Sequence, residues 1–505
     1  MNDTHDHSRL AYRRQFLLSS TKCPELDGWD KTEFHPYTLY IHKDCSWIRA
    51  DRRSDETDSF ESVVLIGHVL DPYNQDSSTG DIARELVRLG SVTGVADRLY
   101  SLSGRFVLVI RQDSKFLIFH DAGGLKSVFF TWQNGHFHAA SQPLLLGLAV
   151  TLKKSELHNA YFQSDHALKA KDHVPPIGLP LFEDVGQLIP NHYLDSEAGR
   201  QVRYYPEKPL RKKTFRQGAE GAADLLRKTM LAASRQHNLL LFLSAGLDSR
   251  MVLSACREFK EQLRTCTLQF HSLDTDSADI VIAKKVTEKL GVRHDVIDCK
   301  REIDLRFEKL LHRNTDIPHA GFWGRNAYGL HQAVAGLELE DHVCVKGEAS
   351  PVAKCFYYGN GDHPRISSHE QLVSLINGWD CVAGVPEQVR IWFEESRDSV
   401  EQTGHRVLDL FYWEQRLGGW TARNQLEMDI VMDTFVPLNN RELMDLLLGV
   451  DSKHRCKPDY ELFCEIIRIL WPDVLREPVN PHKKRRNVIK KTIRKFVRRI
   501  SGSNG

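Results

Sequence analysis

The sequence has no run of 18 or more apolar residues, so no segment reads as a membrane-spanning helix. Its ten cysteines form no Cys-x-x-Cys pair, which removes a zinc ribbon and a dithiol redox motif; they read as reduced thiols, mostly in the core. Among 24 histidines none makes a His-Glu-x-x-His or similar ligand spacing, so no dedicated metal cage is expected. There is no internal repeat and no low-complexity segment. The first 30 residues, with Asp3 and Asp6, lack the continuous apolar centre of a secretion signal, and a cytoplasmic location is expected.

Acid is missing from one region only. After Glu477 the chain carries ten Lys or Arg and no Asp or Glu; since the whole chain is at +1, the first 482 residues stand at about −9. The body is therefore no nucleic-acid binder by charge. Within the tail, Val488, Ile489, Ile493, Phe496, Val497 and Ile500 recur at helical spacing among the basic residues. Such a helix suits peripheral contact with an anionic membrane face; a solvated tail, or a helix docked on the acidic body, is the alternative.

What is present is a 505-residue chain, too long for one ordinary core, with 41% hydrophobic and 27% charged residues. Up to about Tyr205 it shows short strands between turns, clearest at Val63–Ile66, Phe106–Ile110, Phe116–Phe119 and Val128–Thr131, with helical spacing over Asp81–Leu89. Beyond a polar linker at Glu207–Lys213 the rhythm alternates. Helices are expected at Gly218–Arg235, Ser249–Phe259 and Ser277–Leu290, and strands at Leu239–Leu243, Thr265–Phe270, His294–Ile297 and His342–Val345. That alternation predicts an α/β fold with a parallel sheet, whose ligands bind at the carboxyl ends of the strands.

Leu239–Arg250 falls at such an end. Five apolar residues are followed by Ser244-Ala-Gly-Leu-Asp-Ser249 and a helical pattern, the outline of strand, phosphate loop and helix. Small residues let the backbone approach an anion, and the helix start offers unpaired N–H groups. Asp248 would sit badly beside phosphate without a divalent cation between them, which implies magnesium on Asp248. An ordinary strand-to-helix turn is the alternative.

These residues resemble the asparagine synthetase family, whose C-terminal domain carries a Ser-Gly-Gly-x-Asp-Ser pyrophosphate loop; here Ala245 replaces the first Gly. Gly104-Arg-Phe106, Asp121-Ala-Gly-Gly124 with Phe129-Phe130, and Leu188–Leu194 resemble landmarks of the family's glutaminase domain. Met428–Arg441, with Phe435-Val-Pro-Leu-Asn-Asn440, resembles its segment around Pro-Phe-Leu-Asp. The resemblance implies an Ntn-hydrolase-like, sheet-rich domain of αββα layers over 1–208, a PP-loop ATP pyrophosphatase domain with a helical C-terminal part over 214–480, and a tail from 481 to 505. It also implies a ligase that adenylates a carboxylate with ATP and magnesium and passes the acyl group to ammonia or another amine. Leu243, Ser244, Ala245, Gly246, Leu247, Asp248, Ser249, Phe270, Lys346 and Gly347 would bind the nucleotide; Glu348, Lys354 and Arg325 are the catalytic candidates.

Four departures shape that expectation. The family's glutaminase uses a cysteine freed at position 2; here residue 2 is Asn2, and Cys23 and Cys45 are internal, so the domain is expected not to hydrolyse glutamine. Lys346-Gly-Glu-Ala-Ser-Pro-Val352 keeps Glu348 but puts Pro351 and Val352 where the family has two acids. The late-helix lysine is absent, with Cys464 in its place and only Lys453 or Lys457 nearby. Asn314–Arg325, where the family builds its acceptor pocket, differs throughout, which puts aspartate as substrate in doubt; Arg325 suits a carboxylate or phosphate, and Phe322 and Trp323 an apolar or sugar face. His294 and His319 are expected to be structural. A small-molecule, glycan or peptide acid and an amine donor are the expected partners. The competing readings are a nucleotide-binding scaffold and a genuine glutamine-dependent asparagine synthetase.

Overall fold

The structure is a computed structural model that describes residues 7–169, 174–270, 273–316, 322–359 and 362–481. The basic tail with its apolar stripe, His319 and Asn2 lie outside the described residues. Among the described residues no helix is long and apolar enough to cross a membrane.

Residues up to Arg203 build two six-stranded antiparallel sheets. The longest strands, Ser62–Leu70 and Ser103–Gln112, pair from Ser62↔Arg111 to Leu70↔Ser103. Alternation of side chains sorts the apolar residues of these strands into two layers. Val64, Ile66, Val107 and Val109 meet Phe16, Leu18, Leu39 and Ile41 of the other sheet in the central core. Val63, Leu65, Leu108 and Ile110 face outward under the helices Thr79–Arg88 and Val92–Ser101. On the far side, Leu17, Tyr40, Phe129 and Ala140 are covered by the short helix Pro143–Leu146 and the chain after it. Strands expected at four to five residues thus run longer, because ladder hydrogen bonds continue past the apolar centre.

The second half is α/β around a five-stranded parallel sheet. Its order is Arg293–Asp298, Arg264–Gln269, Asn238–Phe242, His342–Val345, Thr434–Phe435. The central strand is apolar on both faces because both are covered. Leu239 and Leu241 pack on the helices Phe215–Gln236, Leu247–Ser254 and Glu461–Leu470. Leu240 packs on Leu305–Thr315 and Phe322–Val334. The long first helix starts at a capping box of Thr214 and Gln217, and Ala278–Leu290 ends at Gly291 in the left-handed conformation. The helix expected to run from Ser249 to Phe259 stops at Ser254 and gives way to a short turn at Arg257–Phe259. The edge strand Thr434–Phe435 has two residues and leaves no periodic signal to read.

The halves join through buried polar contacts that use several of the landmark residues. Arg105 forms a bidentate pair with Asp429, at 2.5 and 2.6 Å, and donates to Leu125 O and Thr434 Oγ1. Asn439 donates from Nδ2 to Asp121 at 2.7 Å and accepts from the Gly123 N–H at 2.6 Å. The Asp121 turn and the Phe435–Asn440 segment are therefore two sides of one joint. Arg203 and Glu414 make a second buried pair, with Asn191 and Trp392 donating to the same carboxylate.

One expectation about the thiols is corrected. Cys355 and Cys456 are joined in a disulfide, their Cα atoms 5.4 Å apart across 101 residues of sequence. Spacing could not show it, because the pairing depends on two loops that meet only in the fold. Of the eight other cysteines six are buried, while Cys381 is exposed and Cys464 partly so.

Candidate active site

The loop Ser244–Ser249 leaves the central strand at its carboxyl end and turns into the helix Leu247–Ser254. The loop is drawn tight by its own hydroxyls: Ser249 Oγ accepts from the Ser244 N–H at 3.2 Å, and Ser244 Oγ accepts from the Gly246 N–H at 3.0 Å. Gly246 caps the helix without a side chain, so the first N–H groups are left for a ligand. A cavity of about 290 Å³ opens there, lined by Leu243, Ser244, Gly246, Asp248 and Ser249, by Thr267 and Phe270 of the next strand end, and by Lys346, Gly347 and Glu348. Eight of the ten expected nucleotide contacts line it. Ala245 and Leu247 do not; their side chains are 1% and 5% exposed and join the core beneath, because the turn sends alternate residues inward.

Lys346–Glu348 follows the neighbouring strand His342–Val345 and presses against the loop. A Cβ on Gly347 would sit 2.7 Å from the Ser249 nitrogen and 2.8 Å from the Asp248 carbonyl carbon. Real Cβ atoms do not approach backbone that closely, so only glycine fits. Gly347→Ala is expected to push the two turns apart and weaken ATP binding about tenfold, the cost of a small misplacement of phosphate donors, as checked by titration calorimetry.

The charges in the cavity are arranged in two sets. Asp248 pairs with Lys354 and accepts from Ser350 Oγ at 2.6 Å. Glu348 is bound on one oxygen by Lys346, at 2.9 Å, and on the other by Gln425 Nε2, at 2.5 Å. The Lys354 ammonium lies over the rings of Tyr460 and Phe463, at 5.1 and 4.8 Å from their centroids. Burial there pushes it down to about 7, opposed only in part by the neighbouring Cys464. Lys354 thus reaches, from another element, the helix in which the expected lysine is replaced by Cys464. Lys453 and Lys457 are exposed instead.

The remaining candidates fall elsewhere. Arg325 is exposed on the helix Phe322–Val334 and does not line the cavity; Asn326, its neighbour, does. Helical geometry turns adjacent residues about 100° apart, which sends Arg325 away from the site. Asn314 accepts from the Tyr12 N–H and donates to Leu10 O, so the stretch expected to form an acceptor pocket begins as a joint to the N-terminal half. The side chains of Phe322 and Trp323 lie outside the described residues. His294 is structural as expected: its ring nitrogens meet Thr265 and Thr267, and burial lowers it to about 4.

Sequence reasoning missed three contributors. Asp279, in the first turn of its helix, accepts from the Ala245 N–H at 2.9 Å and so fixes the loop from outside. Arg250, fully buried, donates to Glu477 O and Pro478 O, both at 2.7 Å. That clamp delivers Asn480, whose N–H donates to Ala245 O at 3.0 Å. An acid opening a helix was the available signal for Asp279; nothing in the sequence announces the other two.

Residues 222–339 match the family model for asparagine synthase. The chain carries an asparagine synthase domain. The matched span contains the Ser244–Ser249 loop and stops just short of Lys346–Glu348, so the family match covers the first wall of the cavity and geometry alone adds the second. No curated protein matches the chain. Among solved structures it is similar to the glutamine-dependent NAD+ synthetase of Acinetobacter baumannii in complex with ADP, at 16% identity over 33% of this chain and 30% of that one, with a TM-score of 0.20. It is also similar to the NMN synthetase of Francisella tularensis, at 13% identity over 40% of this chain and 93% of that one, TM-score 0.21. A third is the B. subtilis glutamine PRPP amidotransferase complexed with ADP and GMP, at 11% identity over 73% of this chain and 84% of that one, TM-score 0.23. At TM-scores this low none of the three bears on the fold or the site of the asparagine synthase domain.

Proposed function

We propose that the protein is an ATP-dependent, AMP- and pyrophosphate-forming amide ligase, which adenylates a carboxylate and transfers the acyl group to ammonia or another amine. The observation that carries this reading is the meeting of two strand-end turns at one cavity: a Ser-rich loop at a helix start on one side, and Lys346 and Glu348 on the other, with Lys354 behind the loop paired to Asp248. The N–H groups at the start of Leu247–Ser254 and the hydroxyls of Ser244 and Ser249 hold the departing pyrophosphate; Phe270 and the Leu243 backbone frame the adenosine. Glu348, paired with Lys346 and oriented by Gln425, accepts a proton from the attacking amine through its remaining lone pairs.

Among the described residues no group of three or more His, Cys, Asp or Glu could hold a metal ion by itself. Magnesium is commonly bound by one or two carboxylates together with substrate phosphates, and the donors here fit that minimal case through Asp248. When bound it supplies charge neutralisation at the phosphates. The positions beyond Ser350, where the resemblance implies two acids, are Pro351 and Val352; Lys354, drawn in beside Asp248, takes over part of that charge, and Asp279 and Glu348 are the other carboxylates that line the cavity.

The N-terminal sheets serve, in this reading, as a degenerate glutaminase-type layer that supports the synthetase half. Cys23 and Cys45 are both buried, and burial pushes the Cys23 thiol up to about 11, the reverse of what a nucleophile needs. Free ammonia or an amine is then the nitrogen source. The loss of the two acids favours one rival, a nucleotide-binding scaffold. Pyrophosphate release from ATP and magnesium, measured with panels of carboxylic acids and amines, decides between them. Release dependent on both partners supports the ligase; tight ATP binding without release under any pairing supports the scaffold.

Lys354 adds a pH signature. Burial lowers its ammonium to about 7, against the pull of the Asp248 carboxylate beside it. Bound phosphate favours the charged form, so ATP binding at pH 8 is expected to take up close to one proton, and at pH 6 almost none. Calorimetry in buffers of different ionisation enthalpy measures this, and Lys354→Met should remove the difference.

A further inference from the structure

The disulfide between Cys355 and Cys456 stands next to the charges behind the phosphate loop. Cys355 directly follows Lys354, and Cys456 stands four residues before Tyr460, whose ring lies under the Lys354 ammonium. Phe463, the second ring of that cage, sits one turn further on in the helix Glu461–Leu470. The bond therefore joins the turn that carries the ammonium to the loop that carries its cage.

Both sides are bent into an uncommon backbone. Cys355 has φ +54° and Tyr460 φ +46°, in the left-handed region that residues with such side chains rarely adopt. A conformation of that kind persists only where its surroundings over-determine it. One covalent tie acts on both: it fixes Cys355 itself, and it fixes Tyr460 through Cys456 O, which accepts from the Tyr460 N–H at 3.0 Å. On the other side of Lys354 the joint is noncovalent. Arg455, 1% exposed, donates to Ala353 O at 2.7 Å and to Val450 O at 3.0 Å. Opening the disulfide thus leaves the two loops assembled and frees only residues 354–355 and 456–460. The bond also lies just beneath the surface, since both cysteines are buried but the next residues, Phe356 and Lys457, are exposed.

We propose that Cys355 and Cys456 are positioning residues for Lys354, and that their bond makes the phosphate loop redox-sensitive. Closed, it presents the ammonium to Asp248; opened, it lets Cys355 and Tyr460 relax to ordinary backbone and Lys354 leave the loop. Opening is a thiol–disulfide exchange with a small dithiol, which supplies two electrons and two protons. A thiolate of the dithiol attacks one sulfur, the S–S bond breaks, the second sulfur of the dithiol closes a ring on the first, and two cysteine thiols remain. Asp248, left without its cation, then repels the phosphates. That consequence rests on the reading of the cavity as an ATP site; the release of Lys354 does not.

The test uses the full-length chain, prepared without reductant and again after treatment with dithiothreitol and its removal. Thiol titration in denaturant should find eight free thiols before and ten after. Acetylation of lysines, read by peptide mass spectrometry, should find Lys354 protected in the oxidised chain and labelled at a rate near that of the exposed Lys453 and Lys457 in the reduced one. Lys126 and Lys346, buried elsewhere, should stay protected in both. Calorimetry should show ATP affinity about fivefold lower after reduction, as the loss of one charge contact near the phosphates entails. Cys355→Ser combined with Cys456→Ser should bind ATP as the reduced chain does and ignore dithiothreitol; should that variant fail to fold, chemical reduction alone decides. In Lys354→Met the oxidised and reduced chains should bind ATP alike, because the disulfide acts through Lys354. Ten free thiols before reduction, equal protection of Lys354 in both states, or equal ATP affinity in both states overturns the proposal, as does a loss of affinity that persists in Lys354→Met. No ATP binding in either state counts against the ATP reading instead, and lysine labelling then decides the redox control.

Discussion

Asp248→Asn lowers pyrophosphate release by about 100-fold or more, the scale seen when one preorganised charge contact to a transferring group is removed. Asparagine keeps the size of the side chain and its bond from Ser350, but gives up the charge that pairs with Lys354 and would hold the metal. Stability changes little by comparison. The Asp248 side chain is 34% exposed, so solvent screens the lost pair and the cost is about 1 kcal/mol or less, a shift of a few degrees in melting. The double variant Asp248→Asn, Lys354→Met recovers that stability, since no buried ammonium is left alone, but recovers no activity. Release within threefold of the unaltered protein would sink the assignment of Asp248.

The second large effect is on the joint between the halves. Arg105→Met leaves the Asp429 carboxyl, 1% exposed, without its bidentate partner, with Asp433 close by. Burial disfavours the guanidinium charge, yet Asp429 and Asp433 together hold Arg105 charged. Removing one member of such a pair costs about 3–5 kcal/mol, far more than the pair itself is worth against an apolar substitute. The urea midpoint should fall sharply, and Arg105→Met combined with Asp429→Leu should regain most of it. Equal loss in the single and double variants would show that the joint depends on packing and not on the uncompensated charge.

Both predictions concern residues that the sequence presents very differently. Asp248 stands in a legible pattern: a buried apolar strand, small residues, then an acid and a serine opening a helix. Local chemistry dictates that arrangement, because each step is satisfied by neighbours within a few residues, and the alternation of helix and strand that follows makes the sheet parallel. Gly104-Arg-Phe106 and Asp121-Ala-Gly-Gly124 stand out as landmarks too, but their work is invisible in the chain. Arg105 finds Asp429 324 residues away, and Asp121 finds Asn439 318 residues away.

The sequence by itself therefore determined the α/β class, the strand, turn and helix around Ser244–Ser249 and the expected family, since periodicity and turn chemistry are local properties. Only the tertiary structure decided which cations serve that loop. Lys354 reaches the Cys464 helix from another element, Arg325 turns outward by one helical step, Ala245 and Leu247 point into the core, and Cys355 meets Cys456. Each of these outcomes depends on where distant backbones come to rest, and burial and Coulomb interactions act through space, whatever the separation along the chain.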